Sequence, residues 1–222
     1  MTERLWEIIT SSFTDILIPG LTLTVPMTVL SFAFALIIAT VCAMLEFSNV
    51  KIIKDIIRIY IWIARGTPVL VQLFVVFYGL PSLGIVIDPF PSAVIVFSLN
   101  EGAYCAETIR AAMEAVPIGQ LEAAQCGGMS YLTAMRRIVL PQAFRTAFPS
   151  LSNNCIALLK DTSLASNITV AEMFMATQRI VARTYEPLAL YIEVGVIYLI
   201  FSTVLTLIQR YVEKRMNMKG RR

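Results

Sequence analysis

"ILIPGLTLTVPMTVLSFAFALIIATVCAML", Ile16 to Leu45, holds no charged residue. A helix rises 1.5 Å per residue, so about 20 apolar residues cross the ~30 Å hydrocarbon core of a bilayer. This stretch is long enough, and so is a second uncharged one between Arg65 and Asp88. The rest of the chain agrees: 57% of its 222 residues are hydrophobic and only 15% charged, the balance of a membrane protein.

Three further apolar stretches carry charge inside them. Ala93 to Ala115 contains Glu101, Glu107 and Arg110; Ala143 to about Ser163 contains Arg145, Lys160 and Asp161; Leu188 to Ile208 contains only Glu193. The expected fold is an all-α integral membrane protein, one transmembrane domain over 1–222. About five transmembrane helices are placed near 17–45, 53–79, 92–115, 143–164 and 187–211. A four-span reading would lay Ala143 to Ser163 on the surface.

Lys and Arg concentrate in cytoplasmic loops. With five spans and the amino terminus outside, the inside collects Lys51, Lys54, Arg58, Arg110, Arg136, Arg137, Arg145, Arg210, Lys214, Arg215, Lys219, Arg221 and Arg222. Outside remain Arg4, Arg179 and Arg183, with Lys160 near the outer end of a span. The carboxyl terminus is therefore expected in the cytoplasm. The opening "MTERLWEIITSSFTD" lacks a basic region followed by a short apolar core and cleavage site, so the first span is expected to stay in the protein.

Histidine is absent, and Cys42, Cys105, Cys126 and Cys155 stand singly, without metal-type pairing. Neither a catalytic nor a metal site is expected. Outside, "YGLPSLGIVIDPFP" reads as the connection between spans two and three. From Ile168 to Arg183, Val170, Phe174, Thr177 and Val181 recur at helical spacing, as in an amphipathic surface helix.

Between spans three and four lies "EAAQCGGMSYLTAMRRIVLP", Glu122 to Pro141. Good helix formers predict a short helix over about Ile118 to Cys126, stopped by Gly127 and Gly128 at positive φ. Met129, Leu132, Met135 and Val139 predict a second helix, with the chain turning at Pro141 into the fourth span. A short helix with Ala123, Ala124 and one carboxylate, Glu122, suits a groove in a soluble partner; a solvated helical hairpin is the plain alternative.

The spacing of this segment, EAA, three residues, Gly, nine residues, Ile, one residue, Leu-Pro, resembles the motif by which membrane subunits of ABC importers contact their ATPases. "ARGTPVLVQLFVVFYGLP", "SLNEGAYCAETIRAAMEAVPIGQLEAA" and "LLKDTSLAS" are similar to the polar amino acid uptake branch of that family, and the likeness runs from about Gly20 to Tyr211. The resemblance implies a permease subunit of a bacterial inner membrane, paired with a second copy or a paralogue as half of a translocation pathway. A cytoplasmic ABC ATPase dimer, which uses ATP and Mg, would drive it, and an extracytoplasmic solute-binding protein would deliver substrate. The chain itself would bind no cofactor and hydrolyse nothing. Glu122, Ala123, Ala124, Gly128, Leu140 and Pro141 carry over as coupling residues within 118–141.

Ionisable groups deep in a span cost about 2.5–3.5 kcal/mol each on the insertion scale, so they face partners or a watery cavity. Arg65, Glu107, Lys160 and Asp161 are the ones to explain. A zwitterionic amino acid needs donors for its carboxylate and an acceptor for its ammonium. Arg65, Thr67, Asn100, Tyr104, Glu107, Lys160, Asp161, Thr162 and Ser163 are the pathway candidates, with Asn153 and Asn154 weaker. Pro68 interrupts the second span and frees carbonyls that a polar substrate could use. Arg65 is equally readable as the structural ion-pair partner of Glu107. The rival function is an ion-coupled transporter or channel subunit that needs no ATPase; a purely structural subunit is a second rival.

Overall fold

The computed structural model describes residues 2–46 and 50–219, so Arg221 and Arg222 of the orientation argument lie outside the described residues. Helices dominate, and no strand occurs among the described residues. In chain order they are α1 (Thr2–Pro19), α2 (Val25–Glu46), α3 (Lys51–Gly66), α4 (Val69–Phe74), α5 (Pro89–Glu114), α6 (Ile118–Cys126), α7 (Tyr131–Ala134), α8 (Leu140–Asp161), α9 (Met173–Thr184) and α10 (Pro187–Lys219). Among the described residues two helices are long and apolar enough to cross a membrane, Glu3–Glu46 and Pro187–Met216, or three if α3 and the segment Val69–Leu83 count as one bent span.

The stretch after Arg65 therefore differs from the straight crossing that its lack of charge suggests. The chain bends by 104° between α3 and Val69–Leu83. Pro68 has no N–H to give and holds Thr67 extended, at φ −121° and ψ 143°, so the helical ladder cannot pass. The first helix differs too. It runs unbroken from Thr2 through a wide π-turn at Gly20–Thr24 into α2, and its amino-terminal part packs on α9 and α10.

The core forms where α2 and α5 pack along each other, with α3 and α8 on their flanks. Ala39, Ala43, Ala103, Ala106, Ala143 and Ala147 let the backbones come close. Gly102 is the tightest point. A Cβ there would stand 3.0 Å from a methyl of Ile38 and 3.1 Å from the Tyr60 hydroxyl, which itself donates to the Leu99 carbonyl across the α3–α5 contact. Gly102→Ala is expected to lower the stability of the detergent-solubilised protein by about 1–3 kcal/mol, read as a fall in thermal midpoint.

Helix α9 starts later than its apolar spacing suggests. A 3₁₀ run, Thr162–Ile168, follows α8 and ends at Thr169, whose φ of 66° is left-handed. Val170 is buried just before the helix, and α9 begins only where the Glu172 carboxylate accepts the N–H groups of Phe174 and Met175, both at 2.8 Å. Tyr198 on α10 donates to the same carboxylate at 3.0 Å. Burial pushes this carboxyl up to about 7, against the pull of the donors that converge on it.

Candidate functional site

Breaking a helix at Thr67-Pro68 strips the Ala64 carbonyl of its usual donor. The carbonyl does not stay open. The Gln72 amide donates to it at 2.9 Å, and the Asn100 amide reaches it from α5 at 2.9 Å and the Gln72 amide oxygen at 3.3 Å. Gln72 also donates to the Thr67 hydroxyl at 2.8 Å. So Asn100 and Gln72 serve the backbone at the break, and the Ala64 carbonyl, which the proline frees, is held by side chains instead of lying open for a ligand. Gln72 escaped the sequence reading, although a lone amide within "VLVQLFVVF", four residues after a proline, was the available signal.

The break opens a cavity of about 460 Å³ between α3, α4, α5 and α8. Arg65, Thr67, Asn100, Tyr104 and Asp161 of the expected pathway residues line it, and so do Glu101 and Asn154. The Arg65 guanidinium lies over the Tyr104 ring, 5.2 Å from its centroid, where the π-face favours a cation. Glu101 is only 8% exposed; the Cys105 thiol lies 3.7 Å from its Oε1, and the Asn154 amide 3.6 Å from that sulfur. The lining thus carries one cation, Arg65, and two carboxyl groups, Glu101 and Asp161, with hydroxyl and amide groups among them. Such a cavity can hold a zwitterion in one orientation.

Glu107 is not in this cavity. It belongs to a charged cluster at the far end of α5, where Arg110 is the hub: 2.8 Å to Glu107, 2.7 Å to Glu114 and 3.6 Å to Glu46. Arg58 lies 4.0 Å from Glu46, and Arg65 lies 4.0 Å from Glu107, the looser of the contacts made by that carboxylate. Arg65 therefore stands between cavity and cluster. Thr162 is buried and donates to the Leu159 carbonyl at 2.7 Å. Lys160 and Ser163 line a different cavity from Asp161, because neighbouring positions on a helix point about 100° apart. Asn153 is exposed and lines neither cavity.

The segment between α5 and α8 is a hairpin of short helices. Gly128, at φ 79°, ends α6: its N–H reaches the Gln125 carbonyl at 2.9 Å and the Met129 N–H reaches the Ala124 carbonyl at 3.0 Å. Gly127 has φ −75°, so Gly128 is the one that needs the left-handed conformation. Ser130 caps α7 by accepting the Thr133 N–H. Glu122, Ala123 and Gly128 are exposed, whereas Ala124 is buried against the hairpin. No turn occurs at Pro141. A π-turn over Met135–Val139 leads straight into α8, with the Leu140 N–H on the Met135 carbonyl, and this wider winding admits the proline at the second position of α8. Leu140 is buried and Pro141 exposed.

Comparison with known proteins gives the same picture. The chain is 46% identical over 213 residues to the L-cystine transport system permease protein TcyB of Bacillus subtilis strain 168, covering 96% of this chain and 91% of that one. It superposes with a TM-score of 0.84, at 33% identity, on a chain of an amino acid ABC transporter crystallised with histidines, covering 93% and 96% of the two chains. The methionine ABC transporter MetNI in an inward-facing conformation shares the fold, with a TM-score of 0.77 at 17% identity over 90% of this chain and 96% of that one. The model of the family described as the binding-protein-dependent transport system inner membrane component matches residues 32–218, and this chain belongs to that family.

Proposed function

We propose that the chain is the permease subunit of an ATP-driven, binding-protein-dependent importer of amino acids, and that it forms half of the translocation pathway. The observation that carries this reading is the cavity at the broken helix, whose lining includes Arg65, Glu101 and Asp161, in a chain of this family. Arg65 would take the substrate carboxylate, and Glu101 and Asp161 the ammonium, while Thr67, Asn100, Tyr104 and Asn154 complete the walls. L-cystine, named for the relative TcyB, is the first substrate to test.

In this reading the spans are near 17–45, 53–79, 92–115, 143–164 and 187–211, with the amino terminus outside and the carboxyl terminus in the cytoplasm. The segment 118–141 then lies on the cytoplasmic side. There the exposed Glu122, Ala123 and Gly128 contact an ABC ATPase, while Ala124, Leu140 and Pro141 shape the hairpin. The ATPase dimer uses ATP and Mg; a solute-binding protein loads the outer side, and a second copy or paralogue supplies the other half of the pathway.

Glu107→Gln is expected to lower amino acid uptake several-fold while the ATPase still accompanies the permease, because the lost contacts hold Arg110 and Arg65 and none of them is made with α6. Uptake by whole cells beside co-purification checks both halves. Normal uptake would remove Glu107 from any pathway role. Gentle purification of the protein from its native membrane tests the whole reading. An ATPase and a second permease chain are expected in the mass spectrum of the preparation, and an intact complex without any ATPase would refute the importer.

A further inference from the structure

A second cavity of about 460 Å³ lies between the ends of α8, α9 and α10, apart from the one at the broken helix. Its charged group is Lys160. Among the described residues the Lys160 ammonium makes no hydrogen bond or close ion pair; the Asp161 carboxylate attracts it only at longer range and faces the other cavity, and no carboxylate lines the recess. Beside it the Ser163 hydroxyl gives its proton to the Lys160 carbonyl at 2.7 Å, so the donors left for an anion are those of the ammonium. The remaining wall is apolar and aromatic. Phe174 and Tyr191 stack with centroids 5.9 Å apart at 25°, Val194 adjoins them, and at Gly195 a Cβ would meet nothing within 4 Å, so a missing side chain keeps the recess open.

The depth of this recess follows from helix geometry, on the span assignment proposed above. From Leu140 at the cytoplasmic start of α8 to Lys160 the helix climbs about 30 Å, the thickness of the hydrocarbon core. Lys160 thus reaches the outer headgroup level together with Tyr191 near the start of α10, while Tyr198, seven residues further on, stands about 10 Å deeper on the membrane side of the recess. The charge pattern decides among small ligands. A zwitterionic amino acid would bring an ammonium with no carboxylate to meet it, whereas a single anion with an apolar body matches one cation above an aromatic wall.

We propose that this recess holds an anionic phospholipid of the outer leaflet, its phosphate on the Lys160 ammonium and the start of its acyl chain against Phe174, Tyr191 and Val194. Lys160 then belongs to a lipid site and not to the substrate pathway. The bound lipid would fill the space between α8, α9 and α10, next to the Glu172–Tyr198 hydrogen bond that fixes the start of α9.

The test compares the protein purified in mild detergent from its own membrane, with whatever chains accompany it, as wild type, Lys160→Gln, Lys160→Arg and Gly195→Leu. Retained lipids are quantified by mass spectrometry, and phosphatidylglycerol, phosphatidylcholine and inorganic phosphate are then titrated back and followed by native mass spectrometry. Wild type and Lys160→Arg are expected to retain phosphatidylglycerol, Lys160→Gln about five-fold less. Gly195→Leu, which fills the recess while keeping the cation, is expected to lose it as well. Equal retention in all four proteins overturns the proposal. So does binding of inorganic phosphate as tight as that of the lipid, or binding of phosphatidylcholine equal to that of phosphatidylglycerol. Because lipid retention is read without ATP, a negative result here leaves the importer reading standing, and loss of the importer reading on ATPase grounds does not mimic it.

Discussion

Gly128→Asp is expected to abolish ATP-driven uptake, by more than about ten-fold, and to release the ATPase from the permease, while the permease itself stays folded. Gly128 holds φ at 79°, and a left-handed conformation costs an L-residue roughly 1–2 kcal/mol. The cost falls on the two hydrogen bonds that close α6, from Gly128 to Gln125 and from Met129 to Ala124. With that closure loosened, the surface formed by Glu122, Ala123 and Gly128 loses its shape, and a new carboxylate stands in the contact. Nothing within 4 Å would meet a Cβ at Gly128, so the permease core is not disturbed. Co-purification of the ATPase, read beside the thermal midpoint of the permease, checks this. Gly128→Ala, with strain but no charge, should fall between. An unchanged complex in Gly128→Asp would move the ATPase contact away from this hairpin.

Arg65→Gln carries the second large effect, a fall in amino acid uptake of at least about ten-fold, the scale of one lost charge-assisted hydrogen bond. Without Arg65 the cavity keeps Glu101 and Asp161 and becomes purely acidic, so a substrate carboxylate meets repulsion. The structure also offers a structural role, through the 4.0 Å contact to Glu107 and the stacking on Tyr104. The two roles differ in a double-mutant cycle. A substrate role predicts that Arg65→Gln raises the substrate concentration for half-maximal uptake while ATPase association and thermal midpoint hold. A structural role predicts that Arg65→Gln and Glu107→Gln lose stability together, and that the double variant loses no more than either single one. Arg65→Lys should recover part of the uptake, since it keeps the charge and gives up the planar stacking.

Local chemistry carried much of the fold to the reader of the sequence. Uncharged runs announced a helical membrane protein, and helix formers followed by Gly127-Gly128 marked α6 as Ile118–Cys126. What escaped lies where a helix bends or persists against its local signal. Pro68 was visible as an interruption, but the 104° bend and the amides of Gln72 and Asn100 that seal it depend on α5 lying alongside. Pro141 suggested a turn, yet the π-turn before it carries the helix through. At the candidate site the charges were legible as charges. Adjacent helix positions point apart, so Asp161 and Lys160 face different cavities; what spacing alone did not give is that Glu107, one turn from Tyr104, answers to Arg110. Glu101 was legible as a charge on α5 and became a site residue only once α8 brought Asn154 and Asp161 to the same cavity.

The central claim is that ATP, through a partner ATPase, drives amino acids through this chain. The direct measurement is uptake of labelled L-cystine and of a panel of other amino acids into proteoliposomes that contain the purified complex, with its solute-binding protein on the outer side. The account predicts accumulation that requires both ATP on the ATPase side and the binding protein, and that persists when ionophores collapse every ion gradient. Accumulation that follows an imposed ion gradient without ATP would contradict it.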